Sequence, residues 1–200
     1  MGKQSILKCD FLQGAINNRL RFGGRRGQHL PKAVGLKGSQ SPTIIDATAG
    51  LGRDAFLLAS LGSQVTLIER SDIIHELLSA GMEAARQAGG QYKDIIDRMT
   101  LIHGDSIELL PRMHADVVMV DPMHPPRKKS ALVKAEMRSL RNIVGVDEDQ
   151  RLLVEHALAV ATKRVVLKWP AKAAPLKGLP LASHQIIGKS IRYDVFMTIK

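Results

Sequence analysis

The 200-residue sequence is poor in cysteine, in aromatic residues and in long apolar runs, and these scarcities exclude whole classes of protein. Its single cysteine, Cys9, cannot form an intramolecular disulfide, which excludes a disulfide-built scaffold and favours a reducing compartment. No apolar run approaches the roughly 18 residues of a membrane span, and the N-terminus lacks the apolar core of a signal peptide. We therefore expect a cytoplasmic protein with no membrane partner.

Acidic residues are also scarce relative to basic ones. The chain has 29 Lys and Arg against 19 Asp and Glu, a formal net charge of +10. Residues 1–40 hold eight of the cations and only one acid, Asp10. Such an excess predicts a polyanionic partner, for which nucleic acid is the natural candidate. We expect a basic N-terminal arm at residues 1–40, followed by one ligand-binding domain at residues 41–200.

Short apolar runs alternate with helical patterns from residue 43 onward. The runs predict strands at 43–45, 64–69, 99–103, 117–120 and 164–169, with helices at 71–88, 107–112 and 151–161 among them. Residues 183–187 and 193–199 predict a final antiparallel pair. The alternation predicts an α/β fold with a doubly wound, mostly parallel, Rossmann-like sheet of seven strands and an antiparallel C-terminal strand.

Acidic residues follow the first four predicted strands. Asp46, Glu69, Asp105 and Asp121 each stand at or just after a strand's carboxyl end. Because parallel strands present their carboxyl ends at one edge of the sheet, these acids should meet there. That edge is where open α/β folds bind ligands.

The turn after the first strand contains two glycines, Gly50 and Gly52. Together with Glu69, 19 residues beyond Gly50, they satisfy the dinucleotide-binding pattern and leave an NAD-dependent oxidoreductase open. Asp46, four residues before Gly50, favours a different cofactor, because a carboxylate there can accept hydrogen bonds from an amino-acid moiety. S-adenosylmethionine has such a moiety and NAD does not.

The segment after the fourth strand narrows the choice of cofactor and of enzyme class. Asp121-Pro122-Met123-His124 stands where amino-methylating enzymes of the seven-stranded α/β class carry Asp/Asn-Pro-Pro-aromatic. The sequence resembles these class I S-adenosylmethionine-dependent methyltransferases. It resembles more closely the RsmJ family of bacterial enzymes, which methylate the N2 amine of a guanosine in 16S ribosomal RNA. That resemblance rests on residues 22–27, 32–38, 46–56, 121–123, 129–134 and 161–166.

The resemblance implies roles for individual residues. Asp121 and the Pro122 carbonyl would accept hydrogen bonds from the acceptor amine, and Met123 and His124 would complete that catalytic turn. His124 stands where family members carry Phe, and we expect it to stack on the target base. S-adenosylmethionine, which leaves as S-adenosylhomocysteine, would contact Asp46, Gly50, Gly52, Arg53, Asp54, Glu69, Arg70, Asp105, Ser106 and Asp121. RNA would contact Arg21, Phe22, Arg25, Arg26, Arg127, Lys128, Lys129 and Lys134.

The expected partner is 16S ribosomal RNA or the small ribosomal subunit. Alternatives from other classes remain: a methyltransferase of the same fold acting on another RNA or DNA amine, a non-catalytic RNA-binding protein, or, more distantly, the oxidoreductase. The seven histidines and the cysteine show no metal-ligand spacing, so no metal is predicted.

Overall fold

A computed structural model of the chain describes residues 7–13, 28–39, 41–122 and 149–198. Six α-helices and seven strands lie within these ranges, with a short 3-10 turn, Leu110–Arg112, before the fourth strand. The helices are α1 His29–Ala33, α2 Arg53–Ser60, α3 Asp72–Ala88, α4 Gly90–Ile96, α5 Ser106–Leu109 and α6 Gln150–Val160. The strands are β1 Ile44–Asp46, β2 Val65–Glu69, β3 Met99–His103, β4 Ala115–Val120, β5 Ala161–Pro170, β6 His184–Ile187 and β7 Ile191–Met197.

The seven strands form one sheet in the order β3-β2-β1-β4-β5-β7-β6. The pairs from β3 through β5 are parallel, whereas β7 runs antiparallel to both β5 and β6. This arrangement confirms the predicted fold, including its antiparallel C-terminal end. The chain order reverses between β1 and β4, so a crevice at their carboxyl ends is the expected ligand site.

Both faces of the central strands are buried, which explains why those strands read as continuous apolar runs. In β1, Ile44 packs into one core cluster and Ile45 into the other, and Leu67 and Ile68 alternate in the same way along β2. The first cluster lies against α2, α3 and α4, and the second against α6. Trp169 is buried in the second cluster, so it is a core residue.

The described part of residues 1–40 contributes to the same core. Phe11 is 1% exposed, and its ring stacks on Phe56 of α2 with centroids 4.6 Å apart. Leu30, Val34 and other apolar residues of this part join the first cluster. The division of the chain at residue 40 stays a prediction, but the segments 7–13 and 28–39 pack as part of the domain.

Some predicted elements differ from those in the structure. Helix α4 follows α3 directly, whereas the sequence suggested no helix there. Its seven residues carry too few local signals to stand out, but Ile95 and Ile96 bury against the core and stabilise it. The sequence from Phe11 to Arg21 also suggests a short helix, but residues 11–13 form a bend, and the rest of that range lies outside the described residues. None of the described helices has the length and apolar character needed to cross a bilayer.

Candidate active site

The glycine turn between β1 and α2 forms the floor of the site. Gly50 and Gly52 have φ angles of 52° and 66°, in the left-handed region that side chains disfavour. A Cβ on Gly52 would lie 2.7 Å from Leu78 Cδ1, so this position needs glycine for packing as well. A Cβ on Gly50 would meet only the Thr48 carbonyl, 4.0 Å away. Gly50 therefore keeps space open above the turn.

A cavity of about 570 Å³ opens above this turn at the carboxyl edge of the sheet. We call it the donor cavity. The carboxyl ends of β1, β2, β3 and β4 surround it, and the start of α6 closes one side. The lining side chains are mixed, with apolar walls from Ile68, Ile107 and Leu153 between polar groups. The other lining residues are Ala47, Thr48, Gly50, Glu69, Arg70, Gly104, Asp105, Ser106, Asp121 and Asp149.

Glu69 connects the glycine turn to helix α3. Its Oε2 accepts the Gly50 N–H at 2.9 Å, and its Oε1 accepts the Ser71 N–H at 2.8 Å. The carboxyl is 6% exposed, and burial raises its pKa, although the two backbone N–H groups act in the opposite direction. Each carboxylate oxygen has a second lone pair, so Glu69 can hold the turn and still accept a hydrogen bond from a ligand.

Arg70 lies between two acids across the cavity mouth. Its Nη1 is 3.1 Å from Asp149 Oδ2, next to α6, and 3.8 Å from Asp105 Oδ2. Asp105 caps helix α5, because its Oδ1 accepts the Ile107 N–H at 2.8 Å. The Ser106 hydroxyl donates to the Ala47 carbonyl at 2.7 Å. Asp105 and Ser106 thus fix the loop after β3 against the loop after β1.

Asp46 lies beneath the cavity rather than in its wall. The side chain is 2% exposed, and its Oδ1 accepts the Thr48 N–H at 3.2 Å. Burial is the largest cause that raises the pKa of Asp46, to about 7, with the nearby carboxylates Asp54 and Asp121 acting in the same direction and the Thr48 N–H and Lys168 in the opposite one. We therefore expect Asp46 to titrate near neutral pH.

Lys168, near the carboxyl end of β5, joins two of the predicted site residues. Its Nζ donates to Asp121 Oδ2 at 2.6 Å and to Asp54 Oδ2 at 2.7 Å. Burial alone would lower the pKa of this ammonium, but Asp121 and Asp54 outweigh it and raise the pKa. The Asp121 N–H also donates to Thr48 Oγ1 at 2.7 Å. Asp121 is thus held by the glycine turn through its backbone and by β5 through its side chain.

Comparison with known proteins identifies the protein family of this chain. The model of the family described as "Putative SAM-dependent methyltransferase" matches residues 1–198. Ribosomal RNA small subunit methyltransferase J of Agrobacterium fabrum is 60% identical over 94% of this chain and 90% of its own length. The chain belongs to the RsmJ family of S-adenosylmethionine-dependent methyltransferases.

A second curated relative and a solved structure are similar over nearly the whole chain. Ribosomal RNA small subunit methyltransferase J of Brucella anthropi is 58% identical over 98% of this chain and 96% of its own length. The crystal structure of the SAM-dependent methyltransferase NGO1261 from Neisseria gonorrhoeae matches with a TM-score of 0.76 and 35% identity, covering 99% of this chain and 77% of that one. These matches confirm the predicted family, the class I fold and S-adenosylmethionine as the cofactor.

The donor cavity of this RsmJ-family chain suits that cofactor. Ile68, Ile107 and Leu153 offer apolar surface of the kind that an adenine ring needs, and Glu69 offers carboxylate oxygens of the kind that accept from ribose hydroxyls. The acids around the cavity complement a cationic sulfonium. Among the described residues, no cluster of His, Cys, Asp and Glu could hold a metal ion.

The structure brings six of the ten predicted cofactor residues to the cavity wall and leaves four outside it. Asp46 is buried below the cavity, and Gly52 packs against α3. Asp54 lines a neighbouring cleft and binds Lys168, and Arg53 is not among the lining residues. The six at the wall are Gly50, Glu69, Arg70, Asp105, Ser106 and Asp121.

Pro122 is buried directly after Asp121. The other predicted residues of the catalytic turn and of the RNA contacts lie outside the described ranges. They are Met123, His124, Arg21, Phe22, Arg25, Arg26, Arg127, Lys128, Lys129 and Lys134.

Three residues of the RsmJ-family site were not predicted from the sequence. Lys168 and Thr48 secure Asp121, and Asp149 pairs with Arg70 across the cavity mouth. A signal for Lys168 was present, because it stands near the carboxyl end of a strand, as the predicted acids do. Asp149 carried no comparable signal, since it lies far from the other site residues in the sequence and only the fold brings it to Arg70.

Proposed function

We propose that this chain transfers a methyl group from S-adenosylmethionine to the exocyclic N2 amine of a guanosine in 16S ribosomal RNA. The observation that carries the proposal is Asp121, a carboxylate at the end of β4 that borders the donor cavity and is followed by Pro122. The relatives named as ribosomal RNA small subunit methyltransferase J support the substrate class. An RNA substrate of this kind would place the reaction in the cytoplasm.

The guanine N2 amine is a poor nucleophile because its lone pair is delocalised into the ring. A hydrogen-bond acceptor on each amine proton counteracts this delocalisation and directs the lone pair toward the incoming methyl group. The Asp121 carboxylate and the Pro122 carbonyl are the acceptors that we assign to this role. Proline fixes its own φ angle, which helps to keep the carbonyl in place.

Lys168 positions Asp121 for this role. An ammonium 2.6 Å from Asp121 Oδ2 favours the ionised carboxylate, which accepts hydrogen bonds more strongly than a protonated acid does. Asp54 holds the same ammonium from the other side at 2.7 Å. Asp54 therefore acts through Lys168 in this proposal, rather than by contact with the cofactor as the sequence predicted.

The donor cavity holds the cofactor through groups that its wall already presents. Glu69 would accept from the ribose hydroxyls, and Asp105 and Ser106 would border the adenine, with Gly50 leaving space beneath. When bound, S-adenosylmethionine supplies a methyl group on a positively charged sulfur, a leaving group that needs no further activation. The chain's contribution is to orient the acceptor amine and exclude competing water.

The proposal that the substrate is RNA is supported by basic and aromatic residues that precede and follow the donor-cavity residues in the sequence. We propose phosphate contacts by Arg127, Lys128, Lys129 and Lys134, which follow the Asp121-Pro122 turn, and stacking of the target base on His124. Because an amine in paired RNA is inaccessible, the target guanosine must be extruded or already unpaired when it reaches Asp121.

The decisive experiment maps methylated nucleosides by mass spectrometry after incubation with unmodified 16S RNA, or with small subunits, and isotope-labelled cofactor. We expect labelled N2-methylguanosine, and a rate about 10²-fold lower for Asp121→Ala. Asp94→Ala, at an exposed position of α4, is the control and should match wild type. Label in another nucleoside would assign a different amine. RNA binding and cofactor binding without any transfer would favour a non-catalytic protein.

A further inference from the structure

A second cleft, of about 790 Å³, opens on the other side of Lys168 from the donor cavity. Helices α1 and α2 and strands β5 and β7 border it. Its wall combines apolar surface from Leu57 and Tyr193 with polar groups from Gln28, His29 and Asp54. We propose that this cleft receives the guanosine nucleotide of the RNA substrate, an assignment that rests on the proposed function.

The Lys168 ammonium connects the cleft to the catalytic carboxylate, because it contacts a carboxylate on each side. Lys168 Nζ lies 2.7 Å from Asp54 Oδ2 in the cleft and 2.6 Å from Asp121 Oδ2 at the donor cavity. The two carboxylate oxygens can therefore be no more than 5.3 Å apart. A purine is wide enough to reach both groups at once. A guanine in the cleft can present its N2 amine to Asp121 while its ring remains among the cleft residues.

The chemistry of the cleft wall suits a nucleobase. A base needs apolar or aromatic surface for its faces and a few polar groups for its edges. Ile191 is partly exposed on this wall and offers its most accessible apolar surface, while Tyr193 and Leu57, 5% and 4% exposed, are packed into the core beside the cleft. Guanine carries N–H donors on its Watson–Crick edge, and Asp54 is an acceptor on this wall.

His29 lines the cleft beside the β6–β7 turn. The residue is exposed, and a Cβ added to Gly188 of that turn would lie 3.0 Å from its Nδ1. The imidazole therefore lies close to the turn. From this position it can contact the base or its sugar as the nucleotide enters.

Two predicted RNA contacts stand close to the cleft residues in the sequence. Arg25 and Arg26 precede Gln28 by three and two residues. Phosphate contacts by these two arginines would be compatible with a nucleotide in the cleft.

The test is steady-state methylation of a 16S RNA fragment by His29→Ala and by the double variant Gln28→Ala/His29→Ala. Without these contacts to the base, KM for RNA should rise about tenfold or more, with kcat close to wild type. The Kd for S-adenosylmethionine, measured by calorimetry, should not change. His114→Ala is the matched control, because His114 is an exposed histidine that precedes β4, at the amino ends of the strands.

A wild-type KM for RNA in both variants would overturn the cleft assignment. An equal rise in the Kd for S-adenosylmethionine would also overturn it, because the variants would then be acting on the donor cavity. Failure of the proposed function is distinguishable, since the wild-type protein would then produce no N2-methylguanosine at all. Photo-crosslinking of an RNA fragment that carries 6-thioguanosine at the mapped target provides a second measurement. Crosslinks to residues 28–30 or 191–193 support the cleft, and crosslinks confined to other segments contradict it.

Discussion

Lys168 provides the most direct test of how Asp121 is held. In Lys168→Met the apolar stem of the side chain remains, but the ammonium between Asp54 and Asp121 is removed. Two adjacent carboxylates without a cation repel each other, and Asp121 should shift from its place at the end of β4. We expect kcat to fall by about 10²-fold, as misplacement of a reacting group by about 1 Å can produce. Calorimetry should find the affinity for S-adenosylmethionine close to wild type.

Lys163→Met is the matched control for that variant. Lys163 lies on the same strand, and its Nζ pairs with Asp116 at 3.1 Å near the opposite end. Its methylation rate should equal that of wild type. Lys168→Arg keeps the charge and should restore part of the wild-type rate. A wild-type rate in Lys168→Met would remove Lys168 from the mechanism.

Asp46 should make the free energy of unfolding depend on pH. Its folded pKa of about 7 is raised by burial and lies above that of an aspartate in the unfolded chain. The folded protein therefore binds this proton more tightly, and the stabilisation is complete below the unfolded pKa and disappears as the pH rises through about 7. Asp46→Asn removes this dependence, while its amide oxygen can still accept the Thr48 N–H.

Urea unfolding at several pH values between about 5 and 8 measures this effect. The stability of wild type relative to Asp46→Asn should fall with rising pH, by up to about 1.4 kcal/mol per pH unit below the folded pKa. Parallel stability curves for the two proteins would contradict the assignment of a raised pKa to Asp46.

At the scale of single residues, the sequence predicted which acids lie at the carboxyl edge of the sheet better than it predicted the contacts of those acids. Glu69, Asp105 and Asp121 were found because an acid at the end of an apolar strand has few structural explanations. The contact between Asp54 and Lys168 was not predicted, because the two residues are 114 positions apart and only the packing of α2 against the sheet brings them together. Pair contacts across the sheet are fixed by topology, which a single sequence does not encode locally.

At the scale of elements, Gly50 and Gly52 differ in the atoms that an added Cβ methyl group would contact. In Gly52→Ala the side chain is strained by the left-handed φ angle, and its Cβ also overpacks against Leu78. We therefore expect the free energy of unfolding to fall by about 1–3 kcal/mol or more. Gly50→Ala adds strain alone, but its Cβ borders the donor cavity. We expect a smaller decrease in stability, with the Kd for S-adenosylmethionine raised about tenfold.

Urea unfolding and calorimetry on both variants separate packing from ligand contact. Gly52→Ala should be the less stable protein and Gly50→Ala the weaker binder. The reverse order in either measurement would contradict the assignment of Gly52 to packing and of Gly50 to the cavity floor.

The elements that the sequence predicted well are those with strong local patterns. The five parallel strands are short β-branched runs between turn residues, and α3 is a long amphipathic helix that begins after Ser71. Helix α4 was missed because tertiary burial of Ile95 and Ile96, rather than local propensity, stabilises its seven residues. Strand β5 begins three residues earlier than predicted, at Ala161, since pairing with β4 extends it beyond its apolar centre.

At the scale of the whole molecule, negative charge is concentrated at the site, whereas the chain as a whole is positively charged. The site collects Asp46, Asp54, Glu69, Asp105 and Asp121, although the protein carries a net charge of +10. A local excess of carboxylates favours a cationic sulfonium cofactor, whereas the overall positive charge favours RNA. Removal of basic residues should therefore weaken RNA binding without weakening cofactor binding.

Removing basic residues from the N-terminal segment tests this division through salt dependence. Each phosphate interaction that a substitution removes should lower the slope of log K for RNA against log salt concentration by about 0.7, so Arg25→Gln/Arg26→Gln should lower it by about 1.4. Fluorescence anisotropy with a labelled 16S RNA fragment over a range of KCl concentrations measures the slope. Arg112→Gln, in the turn before β4, removes an exposed arginine at the amino ends of the strands and should leave the slope unchanged. An unchanged slope in the double variant would place the phosphate interactions elsewhere, and a weaker affinity for S-adenosylmethionine would contradict the separation of the two charge regions.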